Sequence, residues 1–104
     1  MTIKTKDWNA QIAAAAANNY LRVNGTVTVS NHGITARLVR SPIQVKPYEL
    51  RLDLELKPDN RTTLQIENDK PVEYKAMGNH SITGVNIHFE GELIHHIDKI
   101  LITY

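Results

Sequence analysis

The sequence predicts a small, mainly β protein with one helix at its N-terminal end. From Leu21 to Tyr104, apolar and polar residues alternate with a period of two, which is typical of strands that bury one face. Turn-forming residues separate these runs at a spacing of roughly ten residues, as in small β-sandwiches. Before Leu21 the apolar residues recur with the period of a helix. We therefore expect an antiparallel β-sandwich of about seven or eight strands. A single curled sheet, or an open barrel covered by the helix, is the alternative.

Length and composition restrict the classes of function. The chain has 104 residues, the size of a single domain, so we expect one domain over residues 1–104. The net charge is +1 with the two signs interspersed, whereas a nucleic-acid-binding protein needs a concentrated basic face. The absence of cysteine excludes disulfides and thiol catalysis. The N-terminal residues do not resemble a signal peptide, and no apolar run could span a bilayer. We expect a cytoplasmic protein that binds neither nucleic acid nor membrane.

The predicted helix covers residues 6–20. Five consecutive alanines at positions 13–17 have the highest helix propensity of any residue. One narrow apolar stripe with helical spacing contains Trp8, Ile12, Ala15, Ala16 and Tyr20. A single short helix is marginal in water, so we expect it to pack on the sheet through Trp8 and Ile12. Trp8 is interpreted as a core anchor, with ligand stacking as the alternative.

The alternation that begins at Leu21 predicts one long strand through Val29. A hairpin turn at Asn24 and Gly25 would place apolar residues opposite polar ones, so we expect a bend or bulge at Gly25 instead. The next turn is predicted at Asn31 and His32, because it would pair Val29 with Ile34 on one face.

The clearest strand contains Leu50, Leu52, Leu54 and Leu56, which alternate with charged residues. A turn at residues 58–60 would pair Leu54 with Leu64 and Leu52 with Ile66. Upstream of this strand, Ile43 and Val45 are expected to form a short edge strand. Downstream, a turn at residues 68–71 is followed by alternating segments at 72–76, 85–89 and 93–104.

Histidines form the one candidate metal site in the sequence. If Gly91 and Glu92 make a two-residue turn, Glu90 pairs with Leu93 and His88 lies opposite His95. Two imidazoles and the Glu90 carboxylate could then hold zinc, copper or nickel. The alternative is a solvated ladder of histidines without metal. In the same register His96 falls on the apolar face as a hydrogen-bonded core histidine.

The sequence contains no motif for catalysis or for a cofactor. Its serines lie outside any nucleophile elbow, and its glycines occur singly and not in a phosphate-binding loop. We therefore interpret the chain as a non-catalytic binding or assembly module that contacts a protein partner or itself. Strand addition is expected at residues 43–45 or at the C-terminal strand, with Trp8 and Tyr104 as candidate binding residues. The alternatives are a metal- or small-ligand-binding protein using His88, Glu90 and His95, and an enzyme whose site the sequence does not locate.

Overall fold

The structure, a computed structural model, describes residues 3–14, 19–30, 33–44, 46–58, 67–78 and 81–103. These residues form eight strands and contain no helix. The strands are β1 (Lys4–Ala14), β2 (Asn19–Val29), β3 (Ile34–Arg40), β4 (Glu49–Pro58), β5 (Asn68–Met77), β6 (Gly84–Phe89), β7 (Glu92–Ile97) and β8 (Ile100–Thr103).

The strands are divided between two four-stranded sheets in a sandwich-like arrangement. The first sheet has the order β5-β2-β1-β8, and the second has the order β3-β4-β6-β7. Two pairs, β1 with β8 and β4 with β6, run parallel, and the other neighbours run antiparallel. The prediction of a wholly antiparallel fold is therefore wrong. The chain changes sheet after β2, β4, β5 and β7, and crossovers of this kind allow distant strands to lie parallel.

The core lies between the two sheets, and from Leu21 onward it is built from the alternating residues that the sequence indicated. Six side chains are completely or almost completely buried: Leu21, Val23 and Val27 of β2, Leu52 of β4, and Val85 and Ile87 of β6. The burial of Leu50, Leu52 and Leu54 confirms the predicted strand at β4. The long strand predicted through Gly25 is also confirmed, because β2 continues to Val29 without a turn.

The helix predicted over residues 6–20 is wrong wherever the structure describes it. Residues 4–14 form β1, which pairs antiparallel with β2 and parallel with β8. Residues 15–18 lie outside the described residues. Ala10 and Ile12 are buried while their neighbours Asn9 and Gln11 are not, so β1 follows a period of two. Helix propensity differs by only a few tenths of a kcal/mol per residue, and hydrogen-bonded strands on both sides outweigh it.

The predicted pairing of Val29 with Ile34 is wrong. Val29 lies opposite Asn68 in the first sheet, and Ile34 lies opposite Pro58 in the second. The turn residues Asn31 and His32 themselves lie outside the described residues. A period of two fixes which face a residue occupies, but it leaves open which strand is the neighbour.

The predicted partners of β4 are also wrong. Leu54 lies between Leu38 and Phe89, and Leu52 lies between Arg40 and Ile87, so both sides of these residues are occupied. The residues proposed to pair with them, and the turn residues 59 and 60, lie outside the described residues.

Two local predictions around the edges of the sheets also fail. Residues 68–71 belong to β5 and do not form a turn, and Pro71 is tolerated because β5 is an edge strand. Ile43 is not in a strand, and Val45 lies outside the described residues.

Candidate functional site

Trp8, a candidate binding residue, is placed by a β-bulge in β1. Lys6 lies opposite Thr26 and Asn9 lies opposite Asn24, so Asp7 and Trp8 together face the single residue Gly25. Asp7 has a φ of 57°, the left-handed conformation of a bulge residue. The irregularity predicted at Gly25 thus occurs in the strand opposite it.

The contacts of Trp8 are those of a structural anchor. Its indole Nε1 donates a hydrogen bond to Thr5 Oγ1 at 2.9 Å, and its ring packs against Gly25. His95 of the second sheet stacks its ring on Trp8, with the ring centroids 6.1 Å apart and the planes at 22°. The indole therefore connects β1 of the first sheet with β7 of the second, which supports the core-anchor interpretation.

The three predicted metal ligands do not come together. Phe89 pairs with Glu92, so the turn consists of Glu90 and Gly91, one residue earlier than predicted. Both have positive φ, 51° and 83°, which is the signature of a type I′ hairpin turn. A bulge follows, so that Leu93 lies opposite His88 while His95 lies opposite Ile87.

These shifts remove the geometry on which the metal hypothesis depended. His88 lies beside Leu93, His95 stacks on Trp8, and Glu90 is exposed in the turn. Within the described ranges, no group of three His, Cys, Asp or Glu side chains could hold a metal ion. The prediction for His96 is also wrong: it is exposed, because the slip of one residue turns its side chain to the outer face.

A polar cluster occupies the outer face of the second sheet. His96 Nδ1 lies 2.5 Å from Asn86 Oδ1 and 3.8 Å from Glu49 Oε1. Glu49 also pairs with Lys46 at 3.1 Å, and the hydrogen bond from Lys46 is the main reason that the pKa of Glu49 is lowered. This cluster crosses β4, β6 and β7 and stabilises their alignment.

His88 lies in the same face, beside Asp53 of β4. Burial lowers its pKa, and the positive charge of Arg51 lowers it further. Its Nδ1 and Arg51 Nε are buried and have no hydrogen-bond partner among the residues that the structure describes.

The outer edges of the sheets are β5, β8, β3 and β7. Three of these edge strands contain charged residues: β5 has four and a proline, β3 has Arg37 and Arg40, and β7 has Glu92. The fourth, β8, has the sequence Ile-Leu-Ile-Thr and contains neither a charge nor a proline. Charges and prolines on edge strands hinder pairing with other chains, so β8 is the least protected edge of the described sheets.

The β8 strand also carries two exposed apolar side chains. Leu101 is 62% exposed and Ile102 is 51% exposed. Leu101 lies opposite Gln11, whereas Ile102 lies opposite the buried Ile12 and therefore faces the interior side of its sheet. The sequence predicted one alternating segment over residues 93–104, but the structure divides it into β7 and β8, which lie in different sheets. A strand at residues 100–103 is confirmed, while Tyr104, the other predicted binding residue, lies outside the described residues.

The edge position expected for the C-terminal strand is confirmed at β8, but the sequence did not indicate that β8 would run parallel to β1. Its four residues are more apolar than the other strands, and that composition was the available signal. The bulge that separates His88 from His95 had no comparable signal, because a bulge does not require a particular residue type in the sequence.

Comparisons with protein-family models, with curated proteins and with solved structures find no match to this chain. In the described ranges there is no helix of sufficient length and hydropathy to cross a membrane. Any function must therefore be argued from the strands and side chains themselves.

Proposed function

We propose that this protein is a non-catalytic assembly module in which β8 pairs antiparallel with β8 of a second copy of the chain. The observation that carries the proposal is the uncharged edge at β8, with Leu101 and Ile102 more than half exposed. An unpaired strand edge presents backbone N–H and C=O groups that a further strand can satisfy.

The exposure of Ile102 is the stronger part of this argument. A side chain on the interior side of a sheet is normally covered, as Ile12 beside it is, with an exposure of 7%. Ile102 is half exposed because no strand lies beyond β8 in the described sheet. A strand added there would cover the Ile102 side chain and extend the sheet by one strand.

A second copy is the occupant that the charges favour. The added strand must itself be uncharged and apolar on the interior side, and β8 has both properties. A two-fold axis perpendicular to the sheet would place Ile102 next to the same residue of the second copy, with the interior side preserved in both. The net charge of +1 gives little long-range repulsion between copies.

The test is sedimentation velocity from about 10 µM to about 500 µM, a range that covers weak self-association. We expect a concentration-dependent dimer for the wild type. Leu101→Lys places a charge on the edge strand without changing a buried residue, and it should make the protein monomeric throughout. Leu93→Lys is the matched control, because Leu93 is 56% exposed on the edge strand β7.

A monomer at every wild-type concentration contradicts the proposal, as does loss of the dimer in both variants. Amide hydrogen exchange gives an independent readout, since residues of β8 should become protected as the concentration rises. The cytoplasmic location expected from the sequence stays a prediction.

A further inference from the structure

A cavity of about 610 Å³ opens between the ends of the two sheets, in the range typical of small-molecule sites. Its described lining combines the buried Leu21 and Leu50 with Tyr74 and Ile82. These side chains come from β2, β4, β5 and the segment before β6. The cavity therefore has an apolar floor that extends into the core of the protein.

Hydrogen bonds hold the described wall of this cavity in place. Gln44 Nε2 donates to the carbonyl oxygens of Ser41 and Arg51 at 2.8 and 2.9 Å, and the Arg51 N–H donates to Gln44 Oε1 at 3.0 Å. On the far side, the Thr83 N–H donates to the Tyr48 carbonyl at 2.7 Å. These bonds of the Gln44 side chain fix residues 41–44 against β4, so this wall of the cavity is preformed.

The charged side chains that line the cavity give it a net positive charge. Its lining includes Arg40, Lys46 and Glu49. Lys46 Nζ and Glu49 Oε2 are 3.1 Å apart and neutralise each other. Arg40 has no ion pair with any carboxylate of the described residues, although it lies three residues after Arg37, which pairs with Glu55 at 2.6 Å.

We propose that this cavity binds a small amphipathic monocarboxylate, with the apolar part against Tyr74 and Ile82 and the carboxylate on Arg40. A guanidinium forms paired hydrogen bonds with a carboxylate, and its charge is retained at all physiological pH values. The apolar floor contributes affinity in proportion to the hydrocarbon that it covers. This site is separate from the β8 edge and does not depend on assembly through it.

The experiment is titration calorimetry with decanoate, below the concentration at which decanoate forms micelles. Decyltrimethylammonium has the same alkyl chain and the opposite charge, and it should bind at least tenfold more weakly. Arg40→Gln should weaken decanoate binding at least tenfold. Arg37→Gln, on the same strand but outside the cavity, should leave the affinity unchanged within twofold.

Backbone amide shifts give a second measurement that locates the ligand. On titration with decanoate, the largest shifts should fall at Leu21, Leu50, Tyr74 and Ile82. Equal affinity for the two amphiphiles, no effect of Arg40→Gln, or shifts confined to β8 would each overturn the proposal. Absence of decanoate binding at millimolar concentration would overturn it as well.

Discussion

The indole of Trp8 lies directly against the α-carbon of Gly25. A β-carbon built on Gly25 would come within 2.7 Å of Trp8 Cζ3, much closer than van der Waals contact. Glycine therefore fits at position 25, in the middle of β2, because the indole occupies the space that a side chain would need. We expect Gly25→Ala to lower the free energy of unfolding by about 1–3 kcal/mol, the usual cost of overpacking. Urea denaturation checks this value.

The Trp8→Ala background separates this contact from the intrinsic effect of alanine in a strand. Without the indole the new methyl group meets no ring, so Gly25→Ala should cost at least about 1 kcal/mol less there. An equal cost in both backgrounds would show that the contact with Trp8 does not determine the choice of glycine.

The core strands β2, β4 and β6 could be predicted from the sequence, whereas β1 and the neighbours of each strand could not. Leu50, Leu52 and Leu54 read as one strand because their burial follows from local alternation alone. The parallel pairing of Leu54 with Phe89 joins residues far apart in sequence, and no local pattern encodes it. The predicted hairpin registers required consecutive strands to be neighbours in one sheet. Consecutive strands are not neighbours where the chain passes from one sheet to the other.

The N-terminal segment shows why propensity misled the interpretation. Trp8, Ala10 and Ile12 also alternate with polar residues, so a period of two was present beside the helical stripe. The alanines made the helix more favourable locally, but the sheet supplies hydrogen bonds on both sides of β1. The predicted pairing of His88 with His95 is wrong for a different reason. The turn lies one residue earlier than predicted, and a bulge follows it, so the two histidines are not opposite each other.

Leu52 should be among the most costly residues to truncate. It is completely buried in β4, which has a strand on each side. We expect Leu52→Ala to lower the free energy of unfolding by about 2–5 kcal/mol, since a cavity remains in the core. Leu93→Ala, at an exposed position of β7, should change it by less than about 0.5 kcal/mol. Similar costs for both, measured by thermal and urea denaturation, would contradict the burial of β4.

The hairpin turn between β6 and β7 offers a stabilising substitution. Glu90 has a φ of 51°, a conformation that asparagine adopts more readily than glutamate. We expect Glu90→Asn to raise the free energy of unfolding by about 0.5–1 kcal/mol, because asparagine followed by Gly91 favours a type I′ turn. Gly91→Ala, at a φ of 83°, should lower it by about 1 kcal/mol. A loss of stability in Glu90→Asn would contradict the turn geometry.

The stability of the fold should fall in mild acid because of His88. Burial and then the charge of Arg51 hold its pKa in the folded protein below the ordinary value of 6.5. Well above pH 6.5 the imidazole is neutral in both states and has no linked effect. As the pH falls through 6.5, the unfolded chain takes up a proton that the folded chain does not, so the free energy of unfolding decreases. We expect His88→Gln to lose less stability than the wild type between about pH 8 and about pH 5.5, after subtraction of their difference at the higher pH. Urea denaturation at each pH measures this difference, and parallel declines in the two proteins would show that His88 accepts a proton as readily in the folded state as in the unfolded one.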